Sequence, residues 1–394
     1  MSDRIAITGI GIISSLGLNA QENFDSLSHS KTGIGKMNLL QSIHHEIPVA
    51  EIKKTDEELA ELLRIPYSRE YTRTSLLAIL AAKEAWEDAG KGDANRSGII
   101  SATTVAGMRT SEQFYLDFQQ NGGDAFFINS HDAGDSTEKI ADFLNITGFT
   151  STISTACSSS ANSLMLASRM LKSRKLDKVI AGGVDALSLF TLNGFNSLMI
   201  LDKEPCRSFD DSRAGLNLGE AAAFLVLERE SSLKPDSKVY GFVSGFANAN
   251  DAYHQTASSP DGNGAGLAMQ TALKMAQLHP SDIDYINAHG TATNNNDLSE
   301  GLAIMKVFGD QIPPVSSTKP FTGHTLAAAG AVEGVFSALA LKHEVIYPNL
   351  NFKTQMKELS FKPQTKLEHK RLRHILSNSF GFGGNNSTII YSKE

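Results

Sequence analysis

At 394 residues, 41% of them hydrophobic, the chain is long enough to bury a large core in one domain or two. Its 36 lysines and arginines against 43 aspartates and glutamates give a net charge of −7, which offers no bulk attraction to nucleic acid or to an anionic membrane surface. The two cysteines, Cys157 and Cys206, form no CxxC and no zinc-type Cys/His spacing, which argues against a disulfide scaffold or a zinc site and fits a reducing compartment.

The N-terminal MSDRIAITGIGIISSLG has its apolar run interrupted by glycines and serines and lacks a cleavage pattern, so it reads as a strand and turn rather than a targeting segment. No stretch approaches the roughly 20 apolar residues of a membrane span, and a cytoplasmic protein is expected. Strands are predicted at 4–13, 97–104, 151–155, 178–185 and 220–229, with helices at 75–89, 135–145 and 158–173 between the first four. A second series follows, with strands at 239–246, 283–289, 314–318, 372–378 and 387–392 and helices near 264–278, 298–308 and 325–342. Each series reads βαβαβαββ, so the chain is expected to be α/β with two related halves, 1–235 and 236–394, joined through the polar ERESSLKPDSK segment. The stretches 14–72 and 186–219 are too long for simple connections and read as cap or interface insertions.

One pair of segments supports the duplication: TACSSSANSLMLAS from Thr155 and TGHTLAAAGAVEGV from Thr322, each a strand end running into a small-residue helix. If they are equivalent, a pseudo-twofold axis brings Cys157 and His324 together. Cys157 at a helix N-terminus is placed where the dipole and free backbone N–H groups favour a thiolate. His289 ends a predicted strand in NAHGTAT, at the sheet edge where a crevice forms. His324 lies in STKPFTGHT ahead of a helix, where the dipole and nearby Lys319 favour a neutral ring. NSFGFGGNN sets three glycines around Phe382, allowing a tight turn and close backbone approach to a ligand. Residue type alone leaves other readings open: a buried structural cysteine, a helix-capping histidine, a surface lysine, a plain glycine hairpin.

Taken together, TACSSS, AGGVDA, CRSFDDSRAGLNLGEAAAFLVLE, NANDAYHQT, NAHGTAT with Asp297 and Glu300, SSTKPFTGHTLAAAG and NSFGFGGNN closely resemble the elongating β-ketoacyl-acyl-carrier-protein synthases. The resemblance spans nearly the whole chain. It implies the thiolase fold: two pseudo-symmetric halves in a five-layer α-β-α-β-α arrangement with cap insertions. It also implies acyl transfer to Cys157, then decarboxylative condensation with a malonyl thioester. The N–H groups of Cys157 and Phe382 then resemble an oxyanion hole, with Phe382 also gating the acyl pocket. His289 and His324 resemble the pair that stabilises the enolate.

By the same resemblance, Lys319 and Glu300 form a buried ion pair behind the histidines, and Asp297 organises their surroundings. Thr291, Thr293 and Thr256 bind pantetheine. No cofactor is implied, because the substrates ride on the phosphopantetheine of acyl-carrier protein. That acidic partner calls for a local basic patch, for which Arg64, Arg69, Arg73 and Lys203 are candidates, while Arg207 reads as structural. A homodimer is implied, or a heterodimer with a homologous subunit. Asn294, Phe149 and Asn385 depart from the usual pattern and keep a secondary pathway, such as aryl-polyene or polyketide synthesis, beside fatty-acid elongation. A non-catalytic partner like the chain-length factors is the alternative, and retention of Cys157, His289, His324 and Lys319 argues against it. A thiolase would need a second cysteine in a late glycine-rich loop, whereas Cys206 lies in CRSFDD.

Overall fold

The computed structural model describes residues 3–394. The first half contains β1 (Ile5–Ser14), α1 (Ala20–Ser28), α2 (Asp56–Leu63), α3 (Arg73–Asp88), β2 (Ser97–Ala102), α4 (Met108–Asn121), α5 (Asp135–Leu144), β3 (Thr150–Ile153), α6 (Ser159–Lys172), β4 (Lys178–Asp185), α7 (Leu189–Ser197) and β5 (Ala221–Arg229). The second contains β6 (Gly241–Asn250), α8 (Asn263–Ala276), β7 (Tyr285–Asn287), α9 (Asn294–Phe308), β8 (Val315–Ser316), α10 (Lys319–Thr322), α11 (Ala329–His343), β9 (Val345–Ile346), β10 (Glu368–His369), β11 (His374–Gly381) and β12 (Asn385–Ser392). Every predicted strand and helix is present, with ends moved by no more than four residues.

Strand order carries the duplication. The main sheet runs β3-β2-β4-β5-β1-β6-β12-β11-β7-β8, so the second half repeats the order of the first in mirror sequence. The halves meet where β1 and β6 pair antiparallel, Ile5 opposite Val243 and Ile7 opposite Gly241. β1 is buried at every position, as expected of a strand covered on both faces, and its sequence accordingly alternates nothing.

Helices complete five layers. α3 and α5 cover the outer face of the first half, and α8 and α9 that of the second. α6 and α11 lie between the two strand sets, touching each other, with α6 against β4 and β2 and α11 against β5 and β11. Burial from all sides explains why α11 has no polar face: each residue from Ala329 to Leu341 is buried, and only Glu333 among them is charged. Small residues set the approach of the two central helices. A Cβ on Gly330 would fall 2.7 Å from the Ala161 backbone nitrogen, so a larger residue would force them apart. Their N-terminal ends therefore converge, bringing together the segments that precede them.

The two insertions form helices absent from the predicted series, α1, α2 and α7, while α4 fills part of the interval between β2 and β3. The loop after α7 matters for the site: Asn217 O accepts the His324 N–H at 2.7 Å, and the Gly219 N–H donates to His324 O at 3.0 Å. Among the described residues, no helix is long and apolar enough to cross a membrane.

Candidate active site

Between β3 and α6 the chain turns sharply at Ala156, whose φ of 52° is left-handed. For a non-glycine residue this costs on the order of 1 kcal/mol. Ser159 Oγ secures the turn, accepting the Thr155 N–H at 2.8 Å and donating to Ala156 O at 2.5 Å. Cys157 thus sits just before α6, only 5% exposed. Gly381 packs against it so closely that a Cβ there would lie 3.0 Å from Thr155 O and 3.1 Å from the Cys157 nitrogen, so a side chain would press on the turn that carries the thiol.

Burial dominates the thiol and pushes it up to about 12, while the Lys319 charge, the Phe382 N–H and Cys157's own N–H pull the other way. The helix terminus was expected to favour a thiolate; in this enclosed position desolvation wins, and the free cysteine is a protonated thiol at neutral pH. The two N–H groups nonetheless converge on the sulfur, where a tetrahedral oxyanion would form.

His289 follows β7. Its backbone N–H and that of Gly290 donate to the two oxygens of Glu300, at 2.9 and 2.8 Å, and Asn378 Nδ2 donates to the same carboxylate at 3.0 Å. Asp297 accepts the N–H groups of Phe209 and Ala292 at 2.6 and 3.0 Å. Both acids come from the start of α9 and hold the NAHGTA loop through its backbone. Burial raises Glu300 to about 7.

His324 lies between α10 and α11, its ring edge-on to that of His289 with centroids 5.3 Å apart at 86°. Burial, then the Lys319 charge, hold both imidazoles well below the ordinary histidine range, and His324 adds to the effect on His289. Each ring is therefore neutral at pH 7 and carries a single N–H.

The resemblance paired Lys319 with Glu300; the structure corrects this. Lys319 Nζ bonds Glu333 of α11, which also accepts Ser379 Oγ at 3.2 Å, and both members of the ion pair are buried. Glu300 is occupied by the His289 loop instead. Glu333 was legible as the lone acid in a run of apolar and small residues, a position that requires a buried cation.

Two cavities meet at Cys157. The first, about 220 Å³, is lined by His289, His324, Thr291, Thr293 and Thr256, so the structure brings together all of these predicted positions. The second, about 530 Å³, is apolar, with Val105, Phe190, Leu198 and Leu326 in its wall. Among the described residues, only Cys157, Phe195 and Phe382 line both. The Phe195 and Phe382 rings stack with centroids 5.7 Å apart at 17°, and this pair partitions the two spaces. Phe195, on α7, went unnoticed in the sequence because that helix buries only Thr191 and Leu192 and shows no apolar stripe.

Among the docking candidates, Arg64 and Arg69 are exposed, the latter over the Phe114 and Phe126 rings, and exposed Lys203 lies 3.8 Å from Glu46. Arg73 does not belong with them. It is 2% exposed, with Nε and Nη2 on the two Glu220 oxygens at 2.9 and 2.7 Å and Nη1 on Asp56 at 2.8 Å. Arg207 pairs with Asp202 at 2.7 Å, in keeping with a structural role.

Residues 2–232 match the family model described as beta-ketoacyl synthase, N-terminal domain, and residues 240–353 match its C-terminal domain. The chain is 31% identical over 409 residues to a 3-oxoacyl-[acyl-carrier-protein] synthase 2 of Staphylococcus aureus (strain COL), covering 99% of this chain and 98% of the relative. It is 33% identical over 410 residues to the enzyme of that name in Coxiella burnetii, with the same coverage. Among solved structures, one described as the ishigamide ketosynthase/chain length factor superposes with a TM-score of 0.93 at 28% identity, covering all of both chains. A ketosynthase in complex with its chain length factor from Xenorhabdus doucetiae gives 0.86 at 29% identity, covering 100% of this chain and 98% of the other. The chain belongs to the beta-ketoacyl synthase family.

Proposed function

We propose that this chain is a working β-ketoacyl-acyl-carrier-protein synthase, of fatty-acid or related polyketide synthesis. The observation that carries the reading is the convergence of one thiol and two neutral imidazoles on a single cavity, backed by a buried ion pair.

In the first half-reaction Sγ of Cys157 attacks the thioester carbonyl of an acyl group on acyl-carrier protein. The carbonyl oxygen becomes an oxyanion between the N–H groups of Cys157 and Phe382. Collapse expels the pantetheine thiol, which takes up the proton that the cysteine gives, so the exchange is proton-neutral. The acyl chain occupies the apolar cavity, and Thr256, Thr291 and Thr293 hold the pantetheine arm in the polar one.

In the second half-reaction a malonyl thioester enters the polar cavity. Its C–C bond to the carboxylate breaks, CO₂ leaves, and the electron pair passes to the thioester oxygen as an enolate. The N–H groups of His289 and His324 donate to that oxygen. Neutral rings suit this step, because an imidazolium would protonate the enolate rather than stabilise it. The enolate carbon attacks acyl-Cys157, and the thiolate departs and takes a proton from solvent. The product is a β-ketoacyl thioester two carbons longer.

Acyl-carrier protein is the partner, met by exposed Arg64, Arg69 and Lys203, and a homodimer in the cytoplasm is the working form. Intact-mass analysis after incubation with acyl-carrier protein bearing an acyl group tests the reading. An adduct of acyl mass, lost in Cys157→Ala, is expected; no adduct on the wild-type chain sinks it in favour of a non-catalytic chain-length factor.

A further inference from the structure

We infer that Asn385 is a positioning residue for the oxyanion turn: its carboxamide oxygen ties residues 381–385 to the helix that carries Cys157 and so fixes where the Phe382 N–H points. The inference rests on the proposed roles of Cys157 and Phe382.

The turn itself is permissive. Gly383 and Gly384 adopt φ of 80° and 73°, and with Gly381 they leave Phe382 among residues that impose little on its backbone. What holds the turn therefore decides the donor's position. Three hydrogen bonds hold it to the end of β6 and the segment that follows: the Gly383 N–H to Gln255 O at 2.7 Å, Asn250 Nδ2 to Gly383 O at 2.9 Å, and the Asp251 N–H to Gly384 O at 2.9 Å. None of these fixes the turn relative to the nucleophile.

Asn385 does. Its Oδ1 lies 2.6 Å from Ser158 Oγ, 2.6 Å from Asn248 Nδ2 and 3.2 Å from Asn162 Nδ2. Ser158 adjoins Cys157 and Asn162 is in the first turn of α6. Asn162 is itself braced, with Nδ2 on Thr155 Oγ1 at 2.8 Å and Oδ1 accepting from Asn248 at 3.1 Å and from Ser387 at 3.2 Å. Of residues 381–385, Asn385 alone hydrogen-bonds the 155–162 segment through its side chain, beside the Phe382 N–H that meets the Cys157 sulfur itself. It lines neither cavity, so its effect reaches substrate only through Phe382. Asn248 and Asn162 donate to this acceptor through their amides, and Ser158 Oγ divides its one proton between it and Thr155 O at 2.7 Å, so any drift of the turn strains several contacts at once.

Asn385→Leu keeps the shape and removes the acceptor; Asn385→Asp keeps an oxygen in the same place. Removing one oxyanion donor outright costs about 100- to 1,000-fold, so a misplaced one is expected to slow acyl transfer to Cys157 by about 10- to 100-fold, with KM for the acyl donor unchanged. The pH profile of Cys157 alkylation by iodoacetamide is expected to move to higher pH in Asn385→Leu, since the Phe382 N–H is one of the groups drawing the thiol down. Asn385→Asp is expected to restore the transfer rate. If Asn385→Leu does not fold, Asn248→Ala, at an exposed position, and Ser158→Ala carry the test, each slowing transfer severalfold.

An unchanged transfer rate with an unchanged alkylation profile would overturn the inference. So would a raised KM at constant rate, or an aspartate variant as slow as the leucine one. If the wild-type chain accepts no acyl group, the function reading fails, while the alkylation profiles still decide whether Asn385 sets the thiol's surroundings.

Discussion

Breaking the Lys319–Glu333 pair tests the site's internal wiring most searchingly. Both side chains are almost wholly buried, at 3% and 2% exposed. Replacing Glu333 by glutamine leaves an ammonium without its counter-ion in a low-dielectric interior, a change that typically costs about 3–5 kcal/mol. At about 2.1 cal/mol/K per residue, the unfolding entropy of a chain of this length is about 0.8 kcal/mol/K, so the melting temperature falls by about 4–6 °C. Replacing both residues with apolar ones of similar volume, Lys319→Met with Glu333→Leu, removes both charges and recovers most of that loss. Activity is expected to recover less than stability in the double variant, because the Lys319 charge adds to burial in keeping both histidines neutral. The assay is a double-mutant cycle in thermal melts, run beside a condensation assay. A coupling near zero between Lys319 and Glu333, with strong coupling between Lys319 and Glu300, would refute the pairing and reinstate the one the resemblance implied.

The remaining expectations follow from the same geometry. His289→Ala abolishes malonyl decarboxylation and leaves acyl transfer to Cys157 largely intact, as read by CO₂ release against acyl-adduct mass; equal loss of both contradicts the division of labour. Because both histidines are held well below their ordinary range, the unfolded chain binds more protons than the folded one below about pH 6.5, so their contribution to stability declines as pH falls through that point. Glu84 and Glu300, both raised to about 7, act in the opposite sense between pH 7 and their unfolded range, so the comparison is made by difference. The doubly substituted His289→Gln, His324→Gln chain is expected to lose less stability than wild type between pH 7 and 5 in denaturant titrations, and parallel curves would contradict neutral burial. Phe195→Ala opens the partition between the cavities, and hydrolysis of acyl-Cys157 is expected to quicken severalfold by mass spectrometry; an unchanged half-life would remove Phe195 from the barrier.

Much of the fold was legible because strand and helix alternation sets the layer order, and β1, β4 and β5 are buried nearly throughout. The insertions were not, since α4 has no fully buried residue and its apolar face, with Phe114 and Phe118, packs on Phe126 and Phe127 of its own connection and not on the sheet. α2 did leave a signal, the Thr55 and Glu58 capping box ahead of LAELL, which periodicity alone passed over. In the site, the order of motifs placed Cys157, His289 and His324, but partner choice among buried charges depends on the approach of distant helices. Glu300 is close to His289 in sequence and binds that loop, while Glu333, on α11, reaches Lys319 because the 323–328 segment folds α11 back beside α10. The thiol's state likewise turned on burial, which no local motif reports.

Single turnover on pre-acylated protein tests the central claim most directly. Wild-type chain carrying an acyl group on Cys157 is mixed with malonyl-acyl-carrier protein, and enzyme mass, CO₂ and carrier-bound product are followed together. Loss of the adduct, one CO₂ per site and a product two carbons longer are expected in step. An adduct that persists while CO₂ is released, or that leaves only by hydrolysis, would contradict condensation at Cys157.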